Sequence, residues 1–331
     1  MENALVTGGC GFLGSWIVRQ LVEEGVRVRV LAVPGESREN VDDLELEYVE
    51  GDVRDRALCE EAVRGVDTVF HAAAIYQDWA PDPTLMYDVN LRGTFNVMEA
   101  SRRAGVERVV YTASIVSIGR PEAGLEADET TPYECWDIDF PYSRSKLHSR
   151  EIAEYFADWD LDVRVVCPAI VLGPGDLRPT PSGALIIGQF EPFLPALHCE
   201  GGANYVDVRD AARTHLLAAR HGKRGERYLA AGTNLSNLEL VETIRKVAGT
   251  NKPLVRMPVA VASGVARGMD VAARITGKPP LLAKDFLHYS LKASYYRNDK
   301  ARRELGATFR PIEETIADAI EYFRDRGLIA R

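Results

Sequence analysis

Two side chains four residues apart carry the first suggestion of chemistry in this chain. Tyr142 and Lys146 bracket Tyr-Ser-Arg-Ser-Lys, and on a helix that spacing puts both on one face, one turn apart. A phenol has a reference pKa near ~10 and is a poor proton carrier at neutral pH. An ammonium held nearby favours the phenolate and lowers that value. A tyrosine tuned in this way can protonate an alkoxide or deprotonate an alcohol, as reversible hydride transfer at a carbonyl requires. Ser114, at the end of a predicted strand upstream, adds a hydroxyl able to bond the same substrate oxygen. The competing reading is a surface helix with an ordinary Tyr and Lys.

A second constellation opens the chain. The apolar run Ala4 to Val6 breaks into glycines at 8, 9 and 11, then resumes as an amphipathic helix on which Leu13, Ile17 and Leu21 recur. Gly8, Gly11 and Gly14 thus form a G-x-x-G-x-x-G pattern between strand and helix. Gly8 permits the tight turn, Gly11 lets the backbone approach a pyrophosphate, and Gly14 lets the helix lie against the strand. The free N–H groups of the helix start, at Phe12 and Leu13, would face the phosphates. Asp52 after a third strand fits a nucleotide site.

The elements that must position these groups alternate. Strands are predicted at 3–7, 27–33 and 46–49, with helices at 12–24 and 55–64. The apolar run 68–74, a helix at 83–104, a strand at 108–112, a helix at 142–157 and a strand at 163–167 follow. This spacing implies βαβ units: a Rossmann-type, doubly wound parallel sheet of the α/β class. Ligands bind such sheets at the carboxyl ends of the strands. That places Gly8, Asp52, His71 to Ala74 and Thr112 to Ser114 along one rim. A strand near 203–208, a helix at 209–221 and a strand at 225–230 lead back toward the sheet. Helices at 236–248, 258–276, 281–291 and 311–326 dominate the rest. The expected division is a dinucleotide-binding domain over 1–170, rejoined by 203–230, and a smaller, mostly helical substrate cap over 171–331.

Composition bounds the function. The 331 residues are 46% hydrophobic and 27% charged, as in ordinary globular chains. A net charge of −9 argues against nucleic acid or an anionic membrane as the main partner. Cys10, Cys59, Cys135, Cys167 and Cys199 are odd in number, widely spaced and form no C-x-x-C. Reduced, mostly buried thiols in a cytoplasmic protein are expected, with no metal site. A first strand at residue 3 leaves no room for a signal peptide, and no apolar run approaches the ~20 residues of a membrane span.

Taken together, Thr7 to Gly14, Gly51-Asp52, His71-Ala-Ala-Ala74, Asn90, Thr112-Ala-Ser114 and Tyr142-x-x-x-Lys146 resemble an extended short-chain dehydrogenase/reductase. The resemblance covers essentially the whole chain and is closest to the dihydroflavonol-reductase-like branch. More closely still, through Arg178-Pro-Thr-Pro-Ser-Gly183 and Gly225-Glu-Arg-Tyr228, the chain resembles the hopanoid-associated sugar epimerase group. The resemblance implies that Tyr142 is the acid/base, that Lys146 tunes it and binds a ribose, and that Ser114 positions the substrate oxygen. It further implies that Asp52 and Val53 meet the adenine and that Ala72, Ala73 and Ala74 line the cofactor cleft. Asn90 braces the active-site backbone, Thr112 lies on the cofactor rim, and Pro168, Ile170 and Val171 lie beside the nicotinamide. His71 is read as a structural, hydrogen-bonded histidine. A homodimer through the helices near 90–104 and 142–157 is implied on the same ground.

NAD-selective sites place an acidic residue at the end of the second strand. Here Ala32-Val33 stand there, and relatives preferring NADP often have arginine at the Val33 position. Arg38 could hold a 2′-phosphate, so NADP(H) is favoured, with NAD(H) left open. Dehydratases of the superfamily follow the active-site Ser/Thr with Asp-Glu, where this chain has Ile115-Val116. Epimerases typically carry Arg-Tyr-x-Asn where it has Val165 to Pro168. The expectation is therefore a reductase or dehydrogenase acting on a small carbonyl or alcohol. An epimerase that retains its cofactor, and a cofactor-binding protein without catalysis, are the alternatives. Met257, Val265, Met269, Val271 and Pro279 to Leu282 make the cap apolar, read either as a hydrophobic substrate wall or as ordinary helix packing.

Overall fold

The computed structural model of the chain describes residues 1–122, 124–191, 195–280 and 282–329. In chain order the first half runs β1 (Asn3–Thr7), α1 (Phe12–Glu23), β2 (Arg27–Ala32), β3 (Glu47–Glu50), α2 (Arg56–Ala62) and β4 (Thr68–His71). A helical segment follows: α3 (Thr84–Tyr87), a π-helical turn (Asp88–Gly93) and α4 (Thr94–Ala104). Then come β5 (Arg108–Thr112), α5 (Pro141–Trp159), β6 (Val163–Pro168), β7 (Ile170–Leu172) and α6 (Pro181–Gly188). The remainder is β8 (Ala196–His198), β9 (Gly202–Asp207), α7 (Val208–His221), β10 (Arg227–Ala230), β11 (Thr233–Ser236) and α8 (Asn237–Ala248). It ends with β12 (Leu254–Arg256), α9 (Val259–Thr276), α10 (Lys284–Ser290) and α11 (Ile312–Asp325).

Seven strands form one parallel sheet in the order β10-β6-β5-β4-β1-β2-β3. The inner strands are near-continuous apolar runs because helices cover both faces, and β4 and β6 are buried along their whole length. α1 and α7 pack together on one side, and α2, α4 and α5 form a layer of their own. The chain reverses winding between β1 and β4, where a crevice opens at the strand ends.

The C-terminal part is less purely helical than its composition suggests. β11, β9 and β7 form a second sheet, and β12 pairs with β8 in a third. The strand at 202–207 therefore lies outside the main sheet, while α7 and β10 lead back to it. Of the strands in these two smaller sheets only β9 was expected; β7, β8, β11 and β12 escaped sequence reading because runs of three or four residues show no resolvable alternation. The helix expected at 281–291 is observed over 284–290; Leu281 lies outside the described residues.

Candidate active site

The glycine turn is shaped by close approach. Gly8 sits at φ +69°, and a Cβ there would lie 2.9 Å from both the Ala73 nitrogen and Cα. A Cβ at Gly14 would lie 2.0 Å from the Gly8 carbonyl oxygen, so α1 can dock on the turn only without one. Gly11 donates its N–H to Gly8 O at 3.1 Å and precedes α1, which has neither a side-chain cap nor an acidic residue in its first turn. By contrast α2, α6, α7 and α8 are capped by Asp55, Thr180, Asp207 and Ser236. The first-turn amides, Phe12 and Leu13 among them, are thus left to an external acceptor. This is the donor set a pyrophosphate needs.

From that turn a hydrogen-bonded chain runs to α5. The Ala73 N–H donates to Thr7 Oγ1, which lies 2.7 Å from His71 Nδ1. His71 Nε2 meets Thr94 Oγ1 at 3.1 Å, and Thr94 donates to Asn90 O. Since the Thr94 proton is committed, His71 donates from Nε2 and accepts at Nδ1 from Thr7. Burial holds its pKa down to about 3, so it stays neutral. Asn90 accepts from Ile75 N and donates to Ile75 O and to Ser145 Oγ, and Ser145 donates to Tyr142 O. The π-helical turn at Asp88–Gly93 carries Asn90. The structural reading of His71 and the bracing geometry of Asn90 both follow from these contacts.

Tyr142 and Lys146 do lie on one face of α5, whose Pro141 fits the first turn. Their electrostatics differ from the sequence expectation. Burial pushes the Tyr142 hydroxyl up to about 12, with a hydrogen bond to Ser114 pulling against it. Burial also pushes the Lys146 ammonium down to about 8. Lys146 Nζ donates to Thr112 O at 2.9 Å rather than to the phenol. Thr112 turns its hydroxyl away from the rim toward His215 Nε2, at 3.0 Å. His215 bonds Ala211 O through Nδ1, and burial lowers its pKa to about 4. Only the Thr112 carbonyl therefore reaches the site.

Around Tyr142 stands an aromatic wall assembled from distant segments. Tyr76 meets the Tyr142 ring edge-on at 4.7 Å between centroids, and Phe140 lies at 5.9 Å. Phe140 contacts Phe286 and Tyr289 of α10, and Arg120 stacks on the Tyr289 ring at 3.8 Å. These residues escaped sequence reading because nothing in their spacing joins 76, 140 and 286; only the pair Phe140-Pro-Tyr142 hinted at it.

Along the rim, both Asp52 oxygens are engaged by Arg54, which also reaches Asp88 and holds the Asp52 carboxyl below its usual range. Val53 is buried, and a Cβ on Gly93 would collide with it at 2.5 Å. Ala72 and Ala73 are half-buried and Ala74 is exposed, on the loop after β4. Pro168 ends β6, while Ile170 and Val171 belong to β7 and are half-buried. Arg38 is not free: its guanidinium pairs with Glu50 and lies 3.9 Å over the Tyr48 ring. The end of β2, where the sequence shows no acid, receives one from three residues downstream. Glu36 Oε2 accepts the Val33 N–H at 3.3 Å, and burial raises its pKa. Among the described residues no cluster of three His, Cys, Asp or Glu could hold a metal.

Residues 4–231 match the NAD dependent epimerase/dehydratase family. The chain belongs to that family, the extended short-chain dehydrogenases/reductases. It is 33% identical over 328 residues to a putative dihydroflavonol 4-reductase of Synechocystis, covering 98% of this chain and 95% of that one. It is also 33% identical to sterol demethylase protein B of Methylococcus capsulatus, covering 99% and 100%. Among solved structures it superposes on gox2253 with a TM-score of 0.87, 35% identity and coverage of 99% and 100%. A nucleoside-diphosphate-sugar epimerase from Pseudomonas aeruginosa follows at 0.79, 26% identity and 99% of both chains. Members of this family are NAD(P)-dependent oxidoreductases and epimerases. The shared fold explains the breadth, since chemistry lives in the site rather than the scaffold.

Proposed function

We propose that this epimerase/dehydratase-family chain is an NAD(P)(H)-dependent oxidoreductase that interconverts a small ketone or aldehyde with the corresponding alcohol. The observation that carries the reading is Tyr142, one turn from the buried Lys146 on α5, set against the wall of Tyr76, Phe140, Phe286 and Tyr289. A bound dinucleotide would supply or take up the hydride at the substrate carbon. The chain's own residues handle the oxygen. Ser114 orients and polarises the carbonyl oxygen. The Tyr142 hydroxyl, protonated at neutral pH, gives its proton to the developing alkoxide and takes it back in the oxidative direction. Lys146, fixed on the Thr112 carbonyl one turn along α5, brings a positive charge that favours the phenolate and would hold a ribose hydroxyl. An apolar, aromatic wall supports a hydrophobic substrate.

The two dinucleotides are separated by different residues. Arg38 supports NADP(H), but its guanidinium is committed to Glu50. Glu36, turned back onto Val33 N, supports NAD(H), because a carboxylate there accepts ribose hydroxyls and repels a 2′-phosphate. We therefore favour NAD(H). A cytoplasmic location accords with the free, mostly buried cysteines.

The epimerase reading has its own support in the Pseudomonas aeruginosa relative. Denaturing the purified protein and identifying any released nucleotide discriminates the two. A site that binds and releases NADH or NADPH reversibly, with Tyr142→Phe losing turnover by about 10²- to 10⁴-fold while keeping that binding, supports the oxidoreductase. Stoichiometric retained NAD⁺ together with turnover of a nucleotide sugar would replace it by the epimerase.

A further inference from the structure

The cap helix α9 faces the wrong way for a substrate wall. Its inward side is made of small buried residues, Ala262, Ala266 and Ala273, of which the first two pack with Leu287 and Met257 in a satellite core. Its outward side is apolar as well: Val261, Val265, Gly268, Ala272 and Ile275 recur at helical spacing with Val271 beside them. Val271 is 60% and Ile275 81% exposed. Isolated exposed valines need no explanation, but a stripe spanning a whole helix of 18 residues does.

Charge identifies what would cover it. Between residues 252 and 284 the chain carries Lys252, Arg256, Arg267, Arg274, Lys278 and Lys284 against a single acid, Asp270. This is a basic segment in a protein of net charge −9. Arg256 pairs with Glu200, and Lys284 with Asp285. Arg267, Arg274 and Lys278 have no acidic partner within ion-pair distance among the described residues; Arg267 and Arg274 share one edge of the apolar stripe, and Lys278 follows just past the end of α9. The Asp270 carboxylate faces inward, toward the Lys284 N–H. Whole-chain charge spoke against an anionic membrane, but attraction to a surface is local, falling off within a Debye length of about 10 Å.

We propose that the outer face of α9 docks on an anionic phospholipid bilayer, lying in the interface with its valines and Ile275 among the acyl chains. Its three free cations would reach the headgroups along extended stems. No described helix is long and apolar enough to span a membrane, so the attachment is peripheral. A second copy of this chain fits less well, because a self-complementary contact would bring two basic edges together. α9 packs on α10, which carries Phe286 and Tyr289 into the wall beside Tyr142. Docking would thus set the cleft at the bilayer surface; that consequence rests on the oxidoreductase reading, whereas the docking itself does not.

The test is sedimentation of the full-length protein with phosphatidylcholine vesicles, with and without phosphatidylglycerol, at low and raised salt. The wild type should bind the anionic vesicles, bind the neutral ones at least about 10-fold more weakly, and lose affinity with salt. Val271→Ser with Ile275→Ser, and separately Arg267→Gln with Arg274→Gln and Lys278→Gln, should each weaken binding by about 10-fold or more at unchanged melting temperature, since all five side chains are exposed. No binding to anionic vesicles, or binding undiminished in both variants, overturns the proposal. So does an assembly of the wild type in lipid-free solution that the Val271→Ser, Ile275→Ser variant dissociates. Because the readout is vesicle binding, a failed oxidoreductase assay leaves it untouched.

Discussion

The Asn90 carboxamide closes a two-way bridge on Ile75, accepting from its N–H at 2.8 Å and donating to its carbonyl at 3.0 Å. The same amide donates to Ser145 on the helix that bears Tyr142. One side chain thereby fixes the loop after β4 relative to the acid/base. Asn90→Leu removes the donor and acceptor together and leaves the Ile75 backbone N–H and carbonyl without this partner in a part-buried site, while Ser145 keeps its bond to Tyr142 O. Loss of about 1–3 kcal/mol of stability is expected, with a fall in turnover larger than the fall in dinucleotide affinity. Chemical denaturation alongside a kcat and KM comparison checks it; an unchanged turnover would show that the bridge serves folding alone.

Gly14 gives a sharper steric case. A methyl group there points at the Gly8 carbonyl from 2.0 Å, so Gly14→Ala must push α1 off the turn. The first-turn amides that would bind the pyrophosphate move with it. Fluorescence titration should show dinucleotide affinity falling by about 10-fold or more, with a stability loss of about 1–3 kcal/mol from overpacking. Equal affinity in the variant would mean that the pyrophosphate is held elsewhere.

Why the core of the fold was readable from sequence is plain in β1, β4, β5 and β6. Each is an apolar run bounded by glycine, proline or charged residues, and burial on both faces forces that composition. Tyr142 and Lys146 were readable as a pair because a helix puts residues four apart on one face, and Ser114 because it follows the end of an apolar strand. Other features lie outside what periodicity encodes. The π-helical turn around Asn90 adds no compositional mark to a predicted continuous helix. Glu36 reaches the end of β2 only because the chain doubles back at Pro34-Gly35. α9 is apolar on both sides, so its sequence could not tell the face against α10 from the face toward solvent. The pKa order of Tyr142 and Lys146 depends on burial, which spacing does not report.

Glu36 is the residue on which dinucleotide choice should turn. Its carboxylate occupies the end of β2, and burial raises its pKa, as expected for an acid kept poorly solvated. Glu36→Gln keeps the shape and removes the charge that would oppose a 2′-phosphate. The ratio of NADPH to NADH affinity should rise by about 10-fold, the equivalent of about 1.4 kcal/mol. Binding titrations with both dinucleotides measure it directly. If instead the wild type prefers NADPH and Arg38→Ala abolishes that preference, Arg38 is the selector and its pairing with Glu50 must open.

An aromatic strip on α4 and α5 predicts self-association. Phe95, Tyr155 and Trp159 are each about half exposed or more, and Tyr155 and Trp159 stack at 5.8 Å. These two helices lie side by side, so a second copy could bury the strip as a four-helix contact. Sedimentation velocity should show a dimer that Tyr155→Glu with Trp159→Glu converts to monomer without unfolding. A wild type that is monomeric at micromolar concentration would remove the proposal.

Asp176 supplies a pH dependence with a defined sign. It sits in the loop before α6, where Thr180 donates to it from both its backbone N–H and its hydroxyl. Burial outweighs those bonds and raises its pKa from 3.8 to about 6. The folded state therefore holds a proton that the unfolded state has released across that interval. Where the unfolded chain binds fewer protons, stability falls as pH rises. The Asp176 contribution is thus fully present below pH 3.8, declines up to about 6 and is flat above it. Asp176→Asn has no proton to lose. Its stability relative to wild type should rise between about pH 4 and 6, by at most about 3 kcal/mol, and then run parallel. Denaturant melts of both proteins across that range measure the difference. Curves parallel throughout would place the Asp176 carboxylate in better contact with water than its burial implies.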